Sequence, residues 1–180
     1  MAILALVIAP DPRLKKKSLP VKKVDDDLRR FMDDMLETMY YSEGAGLAAI
    51  QVGIPKRVLI VDINKKEGGN TKNPIFMVNP EMFYVSEEKC IRQEGCLSIP
   101  TQVLDIERPS MIKVKYLDYD GNVQELETDG WLATAIQHEM DHLNGVLLLD
   151  HASLMKRDVM FRKAKKVKKL RDTSSPLEEE

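Results

Sequence analysis

The pattern of apolar and polar residues predicts three helices separated by a run of short strands. Apolar residues recur with a helical period over residues 25–42, where three acidic residues suit the start of a helix and Gly44 suits its end. A second helical period covers residues 131–143. A third covers about 153–170, with an apolar stripe made of Met155, Val159, Met160, Ala164 and Val167.

Between residues 57 and 128 the pattern changes to short apolar runs typical of β-strands. These runs lie at residues 57–63, 75–79, 81–85, 101–107, 111–119 and 123–128. The last two flank Asp120-Gly121-Asn122, which predicts a hairpin turn. The sequence shows no internal repeat. The order of helices and strands predicts an α+β fold with mostly antiparallel strands packed around the helix at 131–143, plus an N-terminal and a C-terminal helix.

The length of 180 residues predicts a single domain over residues 1–170, which includes a basic helix at 153–170. The polar segment 171–180 is predicted to be a disordered tail. No run of about 18 apolar residues is available to span a membrane. The opening "MAILALVIAP" lacks the basic flank and cleavage site of a signal peptide. We therefore expect a cytoplasmic protein with no membrane association.

Charge is distributed unevenly along the chain. Residues 156–171 carry nine Lys or Arg and one acid, so the net charge of −2 leaves about −10 on the remainder. A basic helix on an acidic body favours a polyanionic partner, because the clustered positive field steers association while the body repels it. The same charges are also explained by a helix face that is exposed to solvent and binds no partner.

The two cysteines, Cys90 and Cys96, are too few for a disulfide framework. A reducing compartment would keep both thiols free. Cys96 lies in "QEGCLSIP", between a glycine and a leucine, where a metal-binding, catalytic or core role is open.

Residues 138–142 read His-Glu-Met-Asp-His, an H-E-x-x-H pattern within the second helix. Four positions on a helix separate two side chains by about 40° around its axis, so His138 and His142 project from one face one turn apart. This geometry suits two ligands of one divalent cation. Glu139 lies beside them and is placed to act as a general base.

A catalytic metal site of this kind needs a third protein ligand and an open position for water. Little chain follows His142, so the ligand is expected upstream. The thiolate of Cys96 is the leading candidate, since such ligands bind soft divalent ions well. His151 follows the helix too closely to fold back easily, and it is predicted to lie on the surface.

Three segments together resemble the motifs of the peptide deformylase family, in its bacterial form with a basic C-terminal helix. They are "GAGLAAIQ" at 44–51, "EGCLSIP" at 94–100 and "QHEMDHLNG" at 137–145. The likeness extends over roughly residues 5–170. It implies a metal-dependent hydrolase that removes the N-terminal formyl group from the formyl-methionine of new polypeptides and releases formate.

The resemblance assigns a role to each motif. It implies that Cys96, His138 and His142 hold one divalent metal ion. Water on this metal attacks the formyl carbon, and Glu139 takes and later returns the proton. The side chain of Gln51 and the backbone N–H of Leu97 stabilise the oxyanion. The remaining implied residues are the substrate contacts Ala45, Gly46, Gly95, Trp131 and Ala135, and the supporting pair Glu94 and Arg108.

Two positions depart from common family forms. Ala45 stands where a branched aliphatic residue is usual, and Trp131 stands where a smaller aliphatic residue is frequent. The family pattern therefore does not predict the shape of the subsite that takes the methionine side chain.

For partners, the resemblance implies N-formyl-methionyl nascent peptides and a ribosome bound by the basic helix at 156–171. A monomer is expected. It implies Fe²⁺ in the cell, often replaced by Zn²⁺ or Ni²⁺ on preparation. Two alternatives stay open from the residues alone: an H-E-x-x-H zinc endopeptidase, and a non-catalytic ribosome-associated metal protein.

Overall fold

A computed structural model describes residues 2–64 and 71–174. It contains three α-helices and seven β-strands, and the strands of every ladder pair in antiparallel fashion. The helices are α1 (Asp26–Tyr41), α2 (Gly130–Leu143) and α3 (Leu154–Ser174). The strands are β1 (Gly46–Ala48), β2 (Val58–Val61), β3 (Ile75–Val85), β4 (Lys89–Cys96), β5 (Ile99–Pro109), β6 (Met111–Leu117) and β7 (Val123–Asp129). The predicted α+β class is confirmed.

Five strands form one sheet in the order β1-β2-β3-β6-β7, while β4 and β5 form a separate hairpin. The predicted turn joins β6 to β7, where Gly121 has a φ of 87°. The Asp118 carboxylate accepts hydrogen bonds from the N–H groups of Asp120 and Asn122, which closes this turn. Strand β1 lies at one end of the large sheet, so one of its edges is not paired within that sheet.

Helices α1 and α2 pack on opposite faces of the large sheet. Successive side chains of a strand point to opposite faces. On β2, Val58 and Ile60 therefore lie in the cluster with α1, while Leu59 and Val61 lie in the cluster with α2. All four are buried, as expected for a strand covered on both faces. Fully burying each such aliphatic side chain contributes about 1.5–3 kcal/mol, which fixes both helices against the sheet.

The end of α1 differs from the prediction. The start is as expected, because the Asp25 side chain accepts a hydrogen bond from the Leu28 N–H at 3.0 Å. At the other end, Glu43 adopts the left-handed conformation with a φ of 55°, a role predicted for Gly44. A β-carbon at Gly44 would lie 2.7 Å from Leu97 Cδ1. That glycine is therefore explained by a close contact with the neighbouring hairpin.

Two strands were not predicted, and two predicted runs form a single strand. Strand β3 continues through Asn79 and Pro80, and its register with β6 shifts there, so the irregular residues make a bulge. Strand β1 has only three residues, and β4 presents polar residues on its buried side. Neither strand carries an alternating apolar pattern that sequence analysis could detect.

Helix α3 packs beside the β4–β5 hairpin through the middle of its length. Met160 and Ala164 are buried in a cluster with residues of β5, and Gln102 Nε2 donates to the Met160 carbonyl at 3.1 Å. The predicted apolar stripe is only partly correct, because Met155 is 82% exposed and Val159 is 41% exposed. The apolar contact of the helix with the body is therefore centred on Met160 and Ala164.

The C-terminal helix extends beyond its predicted end at residue 170. It continues to Ser174, and the Thr173 hydroxyl donates to the Leu170 carbonyl at 2.9 Å. No Gly or Pro lies between residue 170 and Pro176 to end the helix earlier. Of the segment predicted to be a disordered tail, residues 171–174 are helical and 175–180 lie outside the described residues. Within 2–64 and 71–174, no helix is both long and apolar enough to cross a membrane.

Candidate active site

A cleft of about 1170 Å³ runs between β1, the β4–β5 hairpin and α2. Its walls come from segments far apart in the sequence, including Ile3, Leu4 and Leu6 near the N-terminus and the connection between α1 and β1. Most residues expected at a functional site line it: Ala45, Gly46, Glu94, Gly95, Cys96, Leu97, Trp131, Ala135, His138 and Glu139.

Three side chains that could hold a metal ion meet where this cleft reaches α2. His138 and His142 lie one turn apart on α2, with ring centroids 5.1 Å apart. Cys96, at the end of β4, places its Sγ 3.2 Å from His142 Nε2. Both cysteines of the chain are free, which excludes a disulfide between Cys90 and Cys96.

The donor set fits a divalent cation. The ligand atoms of Cys96, His138 and His142 all lie within 4.8 Å of one another. In a tetrahedral zinc site with bonds of about 2.0–2.3 Å, ligand atoms are about 3.3–3.8 Å apart, which is close to this spacing. One thiolate and two imidazoles are typical ligands of zinc or ferrous iron. This group could therefore bind a metal ion.

Buried hydrogen bonds orient His138. Its Nδ1 lies 2.8 Å from Glu94 Oε2, which leaves Nε2 to face the metal group. Arg108 holds the same carboxylate through two contacts of 2.6 and 2.9 Å, and its third nitrogen reaches Asp141 at 3.0 Å. Glu94 and Arg108 thus form a buried ion pair and not a surface one, and a carboxylate that fixes a ligating histidine is common behind metal sites.

The pKa values follow from burial and from these contacts. Burial alone would raise the pKa of Glu94, but hydrogen bonds with His138 and Arg108 hold it at about 2. Burial also opposes protonation of His138, yet its contacts with Cys96 and Glu94 raise its pKa well above the usual value. For His142, burial and the neighbouring His138 charge both lower the pKa.

Glu139 lies beside this group in a tight space. It is 4% exposed, and burial raises its pKa to about 7. A β-carbon at Gly46 would overlap Glu139 Oε1 and lie 2.9 Å from Cδ, so the carboxyl occupies the space where a side chain would stand. Among the described residues no hydrogen-bond partner faces Glu139 Oε2. The carboxyl is positioned to exchange a proton near neutral pH with a molecule in the cleft.

The amide of Gln51 faces the same centre. Its Oε1 accepts from the Ala48 N–H at 2.8 Å, and its Nε2 donates to Ser98 Oγ at 3.2 Å and approaches Cys96 Sγ at 3.6 Å. The hydrogen bond from the Ala48 N–H is one that any loop glutamine could accept. Here it also directs the amide N–H group of Gln51 toward Cys96. Leu97 lies in the turn after Cys96 and lines the cleft.

The residues expected to contact substrate divide between two walls of the cleft. Trp131 and Ala135 come from α2, on the same side as His138. On the other wall, Ala45 precedes β1 and Gly46 begins it. The Asp62 N–H donates to the Ala45 carbonyl at 2.9 Å. Because antiparallel residues alternate in hydrogen-bonding direction, Gly46 must direct its own N–H and C=O away from β2. These two groups point to the unpaired edge of β1, where the cleft lies.

Two polar residues near the centre, Asp141 and Ser98, were not predicted from the sequence. Asp141 accepts hydrogen bonds from both Arg108 and His151 and so connects the buried ion pair to the surface. Its position three residues after His138, on the same side of the helix, was the available signal. Ser98 has no such signal apart from following Cys96 closely. His151 is exposed, as predicted.

Comparisons with known proteins agree with one another. The family model described as Polypeptide deformylase matches residues 3–158. A peptide deformylase from Rickettsia akari is 53% identical over 171 residues, which are 93% of this chain and 98% of the relative. One from Rhizobium meliloti is 50% identical over 95% of this chain and 97% of its own length.

Solved structures give the same result. A crystal structure of peptide deformylase from Ehrlichia chaffeensis in complex with actinonin has a TM-score of 0.88 and 44% identity, covering 93% of this chain and 98% of that one. A peptide deformylase from Legionella pneumophila also has a TM-score of 0.88, with 38% identity over 97% of this chain and 100% of its own.

Proposed function

This chain belongs to the peptide deformylase family, and from that premise we propose how its residues remove the formyl group from nascent formyl-methionyl peptides. The family is one of metal-dependent hydrolases. The observation that carries the proposal is the meeting of Cys96, His138 and His142 where a cleft reaches α2, with the buried carboxyl of Glu139 beside them.

We assign the metal to the thiolate and the two imidazoles. A divalent cation held there would act as a Lewis acid on the formyl oxygen and would lower the pKa of a water molecule, toward about 7 for zinc. Glu94 and Arg108 support this arrangement by fixing the ring of His138. The metal we expect in the cell is Fe²⁺, with Zn²⁺ or Ni²⁺ replacing it on preparation.

Glu139 moves the proton. It takes one from the attacking water and delivers it to the departing amine, which completes hydrolysis to formate and a free N-terminus. A carboxyl with a pKa of about 7 suits both directions of this transfer. As the formyl carbon becomes tetrahedral, the Gln51 amide and the Leu97 N–H stabilise its oxygen, and each such donor contributes about 10² to 10³ in rate.

The peptide lies along the unpaired edge of β1. The free N–H and C=O of Gly46 bond to its backbone, as in other cases where an extended peptide adds to a sheet edge, and Gly95 allows close approach from β4. The methionine side chain enters the apolar space near Ala135, Trp131 and Ala45. The smaller Ala45 and the larger Trp131 reshape this subsite relative to common family forms.

Measuring two products tests this function against the endopeptidase alternative. The purified metal-loaded protein should release formate from formyl-Met-Ala-Ser and leave casein intact. Casein cleavage without formate release would support the endopeptidase. Neither activity would support a non-catalytic metal protein.

We expect Gly46→Ala to reduce formate release strongly, by at least about tenfold. The new methyl group would occupy the space of the Glu139 carboxyl and displace the general base. Metal content should stay at the wild-type level because no ligand is moved. Glu139→Ala supplies the control background, because it removes the carboxyl with which the new methyl group would overlap, so adding Gly46→Ala to it should cost little further activity. An equal loss from Gly46→Ala in the wild type and in this background would contradict the proposed clash.

The basic surface of α3 is the proposed ribosome contact, in the cytoplasm where nascent chains emerge. Removing the helix would expose the cluster that buries Met160 and Ala164, so charge reversal is the cleaner test. Exposed Lys163 and Lys166 changed together to Glu should weaken ribosome binding and reduce its salt dependence. Cosedimentation with ribosomes across salt concentrations measures this effect.

The same double reversal at exposed Lys22 and Lys23, outside α3, controls for net charge. Hydrolysis of a short formyl-peptide should be unchanged in both double variants. If the two bind ribosomes equally well at every salt concentration, α3 is not the contact.

A further inference from the structure

Strand β4 contacts helix α2 through one row of side chains. Alternate residues of a strand share a face, and on β4 these include Arg92, Glu94 and Cys96. Glu94 lies 2.8 Å from His138, and Cys96 lies 3.2 Å from His142. The guanidinium carbon of Arg92 continues the row, 4.9 Å from the centroid of the Trp131 ring. The first two contacts belong to the proposed metal centre, whereas the third has no part in it.

Trp131 lines the cleft on the same wall as Ala135 and His138. Arg92 covers one face of its ring and is not among the described residues that line the cleft. The cation thus supports the ring from a side that substrate does not occupy.

Arg92 is half-buried, and its surroundings favour the contact with the ring. Its Nε is buried, and no described residue accepts a hydrogen bond from it. Attraction between a cation and an aromatic face grows as the cation loses water, and the planar guanidinium also stacks on the indole ring. The ring is therefore an important partner of this charge.

We propose that Arg92 is a positioning residue that fixes the Trp131 ring as a wall of the subsite for the first side chain of the formylated peptide. The fixed ring makes the enzyme favour methionine over norleucine, which has the same shape but a methylene in place of sulfur. A thioether gains more from contact with an aromatic ring than a methylene does. This inference rests on the proposed function and concerns the selectivity of the same site.

Selectivity between matched peptides tests the proposal. Formyl-Met-Ala-Ser and formyl-Nle-Ala-Ser are compared by kcat/KM for the metal-loaded wild type, Arg92→Ala, Arg92→Met and Arg92→Lys. The control is Gln93→Ala, an exposed neighbour on the opposite face of β4. We expect the wild type to favour the methionine peptide about two- to tenfold. Arg92→Ala and Arg92→Met should bring this ratio to about one through KM, while Arg92→Lys recovers part of it.

Trp131 is the only tryptophan of the chain, so its fluorescence reports on the wall directly. In a Glu139→Gln background, which prevents turnover, formyl-Met-Ala-Ser should shift the emission with Arg92 present. With Arg92→Met the unliganded emission should move to longer wavelength, and the response to peptide should be smaller.

The outcomes separate the two proposals. A wild type that releases no formate from either peptide overturns the proposed function. An active wild type with no preference for methionine, or an Arg92→Met variant that keeps both the preference and the emission, overturns the role of Arg92 alone. Should Arg92→Ala fail to fold, Arg92→Met decides, because it keeps the apolar stem and removes only the cation.

Discussion

Glu139→Gln is expected to lower formate release by at least about 10², within the range of about 10² to 10⁴ for the loss of general acid–base catalysis. The amide has the shape of the carboxyl but cannot take a proton from water or return one to the amine. Because the variant side chain fits the same buried space against Gly46, the fold and the metal content should be preserved. Formate assay, elemental analysis and circular dichroism together measure these three properties.

The matched control is Glu43→Gln, which removes one negative charge from the rim of the same cleft. Glu43 is exposed and touches neither the metal cluster nor the proposed path of the proton, so its activity should stay near wild type. A fully metallated Glu139→Gln enzyme within tenfold of wild type would assign the proton transfer to another group.

Cys96→Ala should lose metal and activity together. The thiolate is one of only three protein ligands in the proposed site, and it neutralises part of the charge of the cation. Two imidazoles alone bind a divalent ion weakly, so gel filtration should strip the variant of metal. Metal per chain and formate release, measured on the same fractions, should both fall to background.

Cys90→Ala is the control for this variant, since Cys90 is a free thiol on the same strand. It should keep wild-type metal content and activity. If Cys96→Ala retained one metal per chain, the third ligand would have to be a different residue.

The sequence predicted the elements whose burial follows a simple period. Helix α1 and the strand 58–61 are detectable because their apolar residues repeat at the spacing that their neighbours require. Strand β4 was missed for the opposite reason. The face that it turns to α2 carries Arg92, Glu94 and Cys96, which serve the site and the contacts behind it. Polar residues therefore stand where apolar residues would have indicated a strand.

The site was predicted in its chemistry more than in its spacing. Helical geometry alone placed His138 and His142 on one face, and the need for a third protein ligand beside an open position made Cys96 the leading candidate. The close approach of Gly46 to the Glu139 carboxyl could not be predicted, because it depends on how near the edge of β1 lies to α2. That distance is set by packing across the whole sheet and has no local trace in the sequence.

The attachment of α3 has a geometric consequence. This helix of 21 residues is about 31 Å long. Met160 and Ala164 attach its middle to the core, Lys168 is ion-paired to Asp11 at 3.3 Å, and Arg171 lies at the rim of the cleft. A large partner that binds the helix would therefore hold the opening of the cleft at a fixed distance and in a fixed orientation relative to its own surface. The peptide ends within reach would then be present at a high effective concentration, so turnover would depend on where the enzyme is mounted as well as on its affinity for free peptides.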